Sequence, residues 1–279
     1  MKLFINKRLF FTAFFLLTCF STVYGENILK MSTTTSTQAS GLLDLILPEF
    51  KKDTGINVNF IAKGTGAAIR DGIDGNVDII FVHAKALEDK FIQDGYGTKR
   101  YAVMYNDFVI VGPPDDPAGI RGMKCATEAL LKIAASESVF VSRGDNSGTH
   151  IREKDLWKAT GFALEKMGDR YMSIGQGMGK TITFADEKQA YTLTDRGTFI
   201  KYSLGRNIPV DLKIMCENDP ILFNPYGVIP VNPEKHPHVK HDLAEKFAKW
   251  LLSEKGANLI NGYRLHGQQL FYSGAPEKN

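Results

Sequence analysis

From Ile28 onward, short runs rich in β-branched and aromatic residues alternate with amphipathic stretches at helical spacing, and this alternation restricts the fold more than any other feature. Strands separated by helices pair in parallel through crossovers, so the class is α/β. Ile28 to Ser32 reads as a first strand, followed by the polar run Thr33 to Ser40. Leu42, Leu43, Leu45, Ile46 and Phe50 then fall on one helical face, closed by a lysine pair and Gly55. Ile56 to Ala62 reads as a second strand, Gly64, Thr65 and Gly66 open a second helix, and Val77 to Val82 is a third strand.

Two breaker clusters bracket the middle third. The long apolar run Tyr101 to Gly112 ends in Pro113, Pro114, Asp115, Asp116 and Pro117, which reads as a domain edge. A second α/β region holds a helix at Ala126 to Ala135, a strand at Ser138 to Ser142 and a helix at Thr149 to Ala159, and closes at Asn218, Asp219 and Pro220. After the turn-like Asn224, Pro225, Tyr226 and Gly227 come a strand at Val228 to Val231, a loop at Asn232 to His238, and helices near 239 to 252 and 254 to 262. The pattern predicts one lobe over 26–112, a second over 113–222 and a return over 223–279. Two crossings make a hinge, and a cleft between hinged lobes suits a small ligand.

The first 25 residues read as an export signal: Lys2, Lys7 and Arg8, the apolar run Leu9 to Phe20, then Val23, Tyr24 and Gly25 at the cleavage point. That run is short for a bilayer span. Thr18 before Cys19 fits lipid attachment poorly, so the expectation is a periplasmic, monomeric protein. The chain carries 34 basic and 31 acidic residues. Removing the three basic residues of the signal leaves 31 against 31, and a neutral body argues against a nucleic-acid partner. Cys125 and Cys216 would remain, either bridged or as two buried thiols.

The sharpest local signal is Ser142, Arg143, Gly144, Asp145, Asn146, Ser147, Gly148, Thr149 and His150, between a strand and a helix. At a helix start the first N–H groups lack intrahelical partners and carry the positive end of the macrodipole. Ser147 and Thr149 add hydroxyls, Gly148 admits close backbone approach, and Arg143 supplies a forked cation, which together suit a small oxyanion. Taken alone, this could be an ordinary capped helix. Two more turns in the same topological place, Thr33 to Thr37 and Lys63 to Gly66, shift the balance, because ligands sit at strand C-terminal ends in open α/β sheets.

Arg143, Asp145, Ser147, Gly148 and Thr149 resemble the oxyanion loop of periplasmic phosphate-binding proteins. The wider set resembles the tungstate-binding proteins of ABC importers: Thr33 to Thr37, the Gly-Thr-Gly turn at 64 to 66, Val82 to Ala84, Ser142 to His150, Gly175 to Gly179, Tyr191 to Gly197, and Phe223 to Gly227. The resemblance runs from about residue 30 to 262. It implies a two-lobe type II periplasmic binding protein, each lobe a mixed sheet flanked by helices, with no catalysis, no cofactor and no metal. It also implies delivery of tungstate or molybdate to a permease and its ATPase. The ligand residues expected on this basis are Thr34, Thr35, Thr65, His83, Arg143, Ser147, Gly148, Thr149 and Arg196.

His83 bears on the choice of anion. It stands where phosphate binders place an aspartate that accepts the proton of hydrogen phosphate, and a histidine N–H can donate to a proton-free dianion instead. The direct contact of His83, and the choice for Arg196 between ligand and structural partner near Asp195, stay open at the sequence level. Phosphate or another oxyanion is the alternative cargo. A hydrolase using Ser147 and His150 is the alternative class, but Gly144 to Gly148 misses the nucleophile-elbow spacing by one position. Gly175 to Thr181 lacks one residue of a phosphate-loop spacing and reads as a turn lining or framing the cleft. His236, His238 and His241 have no acidic or Cys company and read as surface histidines.

Overall fold

A computed structural model describes residues 27–275. The expected export signal and Cys19 lie outside the described residues. The first lobe opens with β1 (Ile28–Thr34), α1 (Thr35–Ser40), α2 (Leu42–Thr54), β2 (Asn57–Lys63), α3 (Thr65–Ile73), β3 (Ile79–Val82), α4 (Lys85–Gln93) and β4 (Tyr101–Gly112). The second follows with α5 (Ala126–Ala135), β5 (Phe140–Ser142), α6 (Gly148–Thr160), β6 (Tyr171–Ser173), α7 (Met178–Glu187), β7 (Tyr191–Asp195), α8 (Arg196–Leu204) and β8 (Lys213–Cys216). The chain returns through β9 (Phe223–Pro230), α9 (His241–Leu251), α10 (Glu254–Gly262), the hairpin β10 (Arg264–Leu265) and β11 (Gln268–Gln269), and β12 (Tyr272–Ser273).

The strands run in the order β2-β1-β3-β9-β4-β7-β5-β6, with β8 and β12 also paired to β4. In each half a parallel set meets an antiparallel neighbour: β1 is parallel to β2 and β3, β5 is parallel to β6 and β7, and β9 and β4 supply the antiparallel contacts. Strand β4 belongs to both halves. Tyr101 to Asp107 pair with β9, whereas Phe108 to Val111 pair with β7. The sheet partner therefore changes between Asp107 and Phe108, upstream of the proline cluster, which ends the strand rather than the lobe.

Both faces of each half are covered. On β3, Ile79 and Phe81 join the core with Phe50, Phe247 and Leu251, while Ile80 and Val82 join the other face with Phe91 and Ile229. On β4, Phe108 and Ile110 face the core containing Trp157 and Leu193, and Val109 and Val111 face Ile182 and Phe199. Strands buried on two faces carry unbroken apolar runs, which is why they could be read directly.

Two elements depart from the sequence reading. Strand β1 extends past Ser32, because Thr33 and Thr34 pair with Ala62 and Lys63 and the Thr33 hydroxyl donates to the Phe81 carbonyl at 2.7 Å. The rest of the polar run is not loop but α1, capped by the Thr34 hydroxyl and stopped at Gly41 with φ 86°. Asn224 to Gly227 are strand rather than turn, since β4 pairs with them from Asn106 back to Ala102. Local turn propensity gives way to the ladder there.

Candidate functional site

A cavity of about 450 Å³ lies between the two lobes. Thr34, Thr35 and Ser36 line it from the β1–α1 turn, Gly64 and Thr65 from β2–α3, and His83 from β3–α4. From the second lobe come Arg143, Ser147, Gly148 and Thr149 in the β5–α6 turn and Asp195 at the β7–α8 turn. Thr34, Gly64, Ser147 and Asp195 are the N-cap residues of α1, α3, α6 and α8, so four helix starts converge on one space. Such convergence favours negative charge. The α8 start is already satisfied, because Asp195 accepts the Thr198 N–H at 2.8 Å and the Thr198 hydroxyl at 2.7 Å.

The β5–α6 turn is held by its own side chains. Gly144 has φ 65°, and a Cβ there would lie 2.1 Å from the Ser173 hydroxyl. Asn146 also has positive φ, at 55°, a conformation that costs a non-glycine residue energy unless its surroundings hold it. Asp145 accepts the Ser147 N–H at 3.1 Å and an Arg143 N–H at 2.5 Å, and Arg143 donates more loosely to the Thr149 hydroxyl at 3.4 Å. The Nε of Arg143 is buried without a partner among the described residues. An unpaired buried donor costs about 1–3 kcal/mol, a cost that an anion in the cavity would remove. The hydroxyls of Thr35 and Thr65 likewise make no bond to protein among the described residues.

His83 stacks on Tyr226 with ring centroids 4.5 Å apart, and burial lowers its pKa, so the ring is neutral. Its Nδ1 faces the Asn224 amide oxygen at 3.3 Å, while the Asn224 amide nitrogen donates to Asn106 at 2.8 Å. This network puts the ring proton on Nδ1 and leaves Nε2 to accept from the hydroxyls of Ser36 and Thr34, at 3.0 and 3.2 Å. His83 lines the cavity as expected, but its N–H points to Asn224 and not to the anion. It contacts the hydroxyls of Ser36 and Thr34 instead.

Arg196 does not line the cavity. Its guanidinium grips Asp107 through two bonds at 2.7 and 2.5 Å and Glu217 at 2.6 Å, so it sits at the two crossings between lobes as a structural partner. Of the Gly175–Gly179 turn, Met178 alone reaches the lining. Tyr191 is buried, with its hydroxyl on Asp116. His236 and His238 bond the carbonyls of Ile73 and Gly75 at the end of α3, and His236 is half-buried rather than on the surface. Cys125 and Cys216 are free thiols, and burial pushes that of Cys216 up to about 12.

Lys201 and Asp195 were not singled out by sequence. Lys201 of α8 lines the cavity and donates across it to the Ala39 carbonyl of α1. Nothing local marks a lysine in mid-helix as a cleft residue. Ser147 and His150 do not form a catalytic pair. The Ser147 hydroxyl accepts the backbone N–H of His150, and the imidazole Nδ1 accepts the Asn146 N–H at 2.9 Å.

Residues 22–255 match the PBP superfamily domain. The tungstate-binding protein TupA of Peptoclostridium acidaminophilum is 47% identical over 245 residues, covering 86% of this chain and 84% of that protein. The chain belongs to the PBP superfamily and, within it, to the family of these tungstate-binding proteins. The structure of the tungstate-binding protein TupA from Desulfovibrio alaskensis G20 superposes with a TM-score of 0.86 at 51% identity, covering 89% of this chain and 99% of that one. A structure described as the tungstate ABC transporter from Geobacter sulfurreducens gives 0.73 at 52% identity, covering 85% and 98%. The helix starts of the two lobes face one another, and this is a binding protein rather than an enzyme. No helix among the described residues is long and apolar enough to cross a membrane.

Proposed function

We propose that this protein is a periplasmic receptor that captures tungstate, with molybdate as its near competitor, and hands it to the permease and ATPase of an ABC importer. The observation that carries the reading is the meeting of the α1, α3 and α6 starts with Arg143 at one cavity. In this reading Thr35, Thr65, Ser147, Gly148, Thr149 and Arg143 replace the hydration shell of the anion by hydrogen bonds, while Thr34, whose hydroxyl is engaged by His83 and Thr37, contributes by capping α1 at the cavity. Arg196 is left out of the ligand set. The export signal at 1–25 and a monomeric state belong to the same proposal.

The chemistry favours an anion without a proton. The position that would accept a phosphate proton is His83, whose Nε2 is met by the mutually bonded hydroxyls of Thr34 and Ser36, and the carboxylate of Asp195 in the lining accepts two bonds from Thr198. Four oxygens, each about the size of a water molecule at ~30 Å³, make a guest on the order of 100 Å³. That is well below the 450 Å³ of the cavity, and in this reading the lobes close on the ligand.

Calorimetric titration with tungstate tests the seat. Arg143→Ala removes a charge-assisted donor and leaves Asp145 without its cation, so affinity is expected to fall about a hundredfold or more, or ~3 kcal/mol. A variant that binds tungstate like the parent would place the site elsewhere.

A further inference from the structure

His150 is nine-tenths buried in the first turn of α6, with an exposure of 9%. Its Nδ1 lies 2.9 Å from the backbone nitrogen of Asn146. A backbone N–H can only donate, so Nδ1 must be an unprotonated acceptor and the ring neutral with its proton on Nε2. Asn146 is the residue held at φ 55°, in the middle of the 143–149 turn. Burial favours the neutral ring, and the start of a helix likewise disfavours a cation there.

We infer that His150 is a positioning residue for the oxyanion seat: as an acceptor at Nδ1 it pins Asn146, and with it the backbone that presents Ser147, Gly148 and Thr149. This rests on the reading of the cavity as an oxyanion site and adds a residue that touches no ligand. It also makes the seat acid-sensitive. A protonated Nδ1 would set two N–H donors against each other, so the imidazolium can form only by leaving Asn146. Any Coulomb attraction it then offers the anion comes with a loosened turn.

The charges around the ring are few. Burial, Lys154 and Arg143 lower its pKa and Asp145 raises it. Helix α5 and strand β7 pack against α6, but Glu128 and Lys132 of α5 are exposed, Tyr191 of β7 bonds Asp116, and Asp195 bonds Thr198. Glu153, one turn along α6, is pushed by burial up to about 7 and is a second group whose protonation changes with acid. The pH series is therefore run in both the parent and the Glu153→Gln background.

Two measurements test the inference. Nitrogen NMR of the ligand-free protein reads the ring directly and does not depend on which anion binds: an unprotonated Nδ1 at pH 7.5 is expected, and a protonated Nδ1 would overturn the assignment. Tungstate titration between pH 5 and pH 8 then compares His150→Asn, whose side-chain oxygen can accept in place of Nδ1, with His150→Ala. His150→Ala is expected to bind about tenfold more weakly at pH 7.5, the effect of losing one hydrogen bond that orders a binding turn. His150→Asn should bind within about threefold of the parent, on the same scale. The affinity of the parent should decline toward acid in step with the His150 titration, and that of His150→Asn should stay flat. The inference fails if His150→Ala binds like the parent, if the asparagine variant keeps the acid decline, or if affinity rises toward acid. If the parent binds no tungstate while Nδ1 reads as an acceptor, the cargo reading fails and the pinning of Asn146 stands.

Discussion

Thr35 and Thr65 show what a single residue contributes to a hydrogen-bonding seat. Each offers one neutral hydroxyl to the cavity, so Thr35→Ala or Thr65→Ala should cost about 1 kcal/mol, or roughly fivefold in tungstate affinity by calorimetry. This is far less than the loss at Arg143, and equal losses would mean that charge plays no special part. Glu153 makes a separate prediction about stability. Burial raises its pKa to about 7, against the hydrogen bond from Tyr171 at 2.6 Å, so the folded state holds a proton that the unfolded chain has released. Stability from this group is complete below an ordinary glutamate pKa of about 4.3 and is lost as pH rises through 7. Across pH 5 to 8 this contribution is lost in the parent and absent from Glu153→Gln, so the melting temperature of the parent should fall relative to that of the variant. The residues that sequence alone made visible, Arg143, Ser147 and Thr149, sit in a turn whose chemistry is local. Arg196 looked similar in sequence, yet its partners Asp107 and Glu217 are brought to it only by folding.

At the level of elements, Arg196 at the start of α8 ties the end of the first half of β4 to the segment after β8, so one guanidinium braces both crossings. Arg196→Ala would leave Asp107, which is 6% exposed, without its counter-charge. Breaking such a buried pair typically costs about 3–5 kcal/mol, and the half-exposed Glu217 adds little. Urea unfolding should show a loss of about 3 kcal/mol, and a loss below about 1 kcal/mol would reduce the clamp to a surface pair. Strands buried on both faces, such as β3, were legible because every position had to be apolar. The Asn224 to Gly227 segment was not, because its turn-forming residues are held extended by pairing to β4. The change of sheet partner falls where Asn106 and Asp107 interrupt the apolar run of β4, but a polar pair inside a strand does not by itself say that one neighbour replaces another.

The whole molecule is two covered sheets sharing a strand, with helix starts facing a cavity larger than the proposed guest. Binding to the folded state alone should stabilise it by about 2.7 kcal/mol at a hundredfold excess over Kd, or about 5 to 10 °C for a chain of this size. The α/β class and the candidate site at the strand ends could be read from alternation and turn chemistry. How the lobes meet across the cleft could not, because it depends on side chains such as Lys201, which reaches the Ala39 carbonyl. The most direct measurement is a competition titration in which molybdate, sulfate and phosphate displace bound tungstate near neutral pH. Molybdate should compete at similar concentration, and phosphate should need at least about a hundredfold more, the ~2.7 kcal/mol of an unmatched buried polar contact. Phosphate displacing tungstate at parity would contradict a seat built for a proton-free dianion.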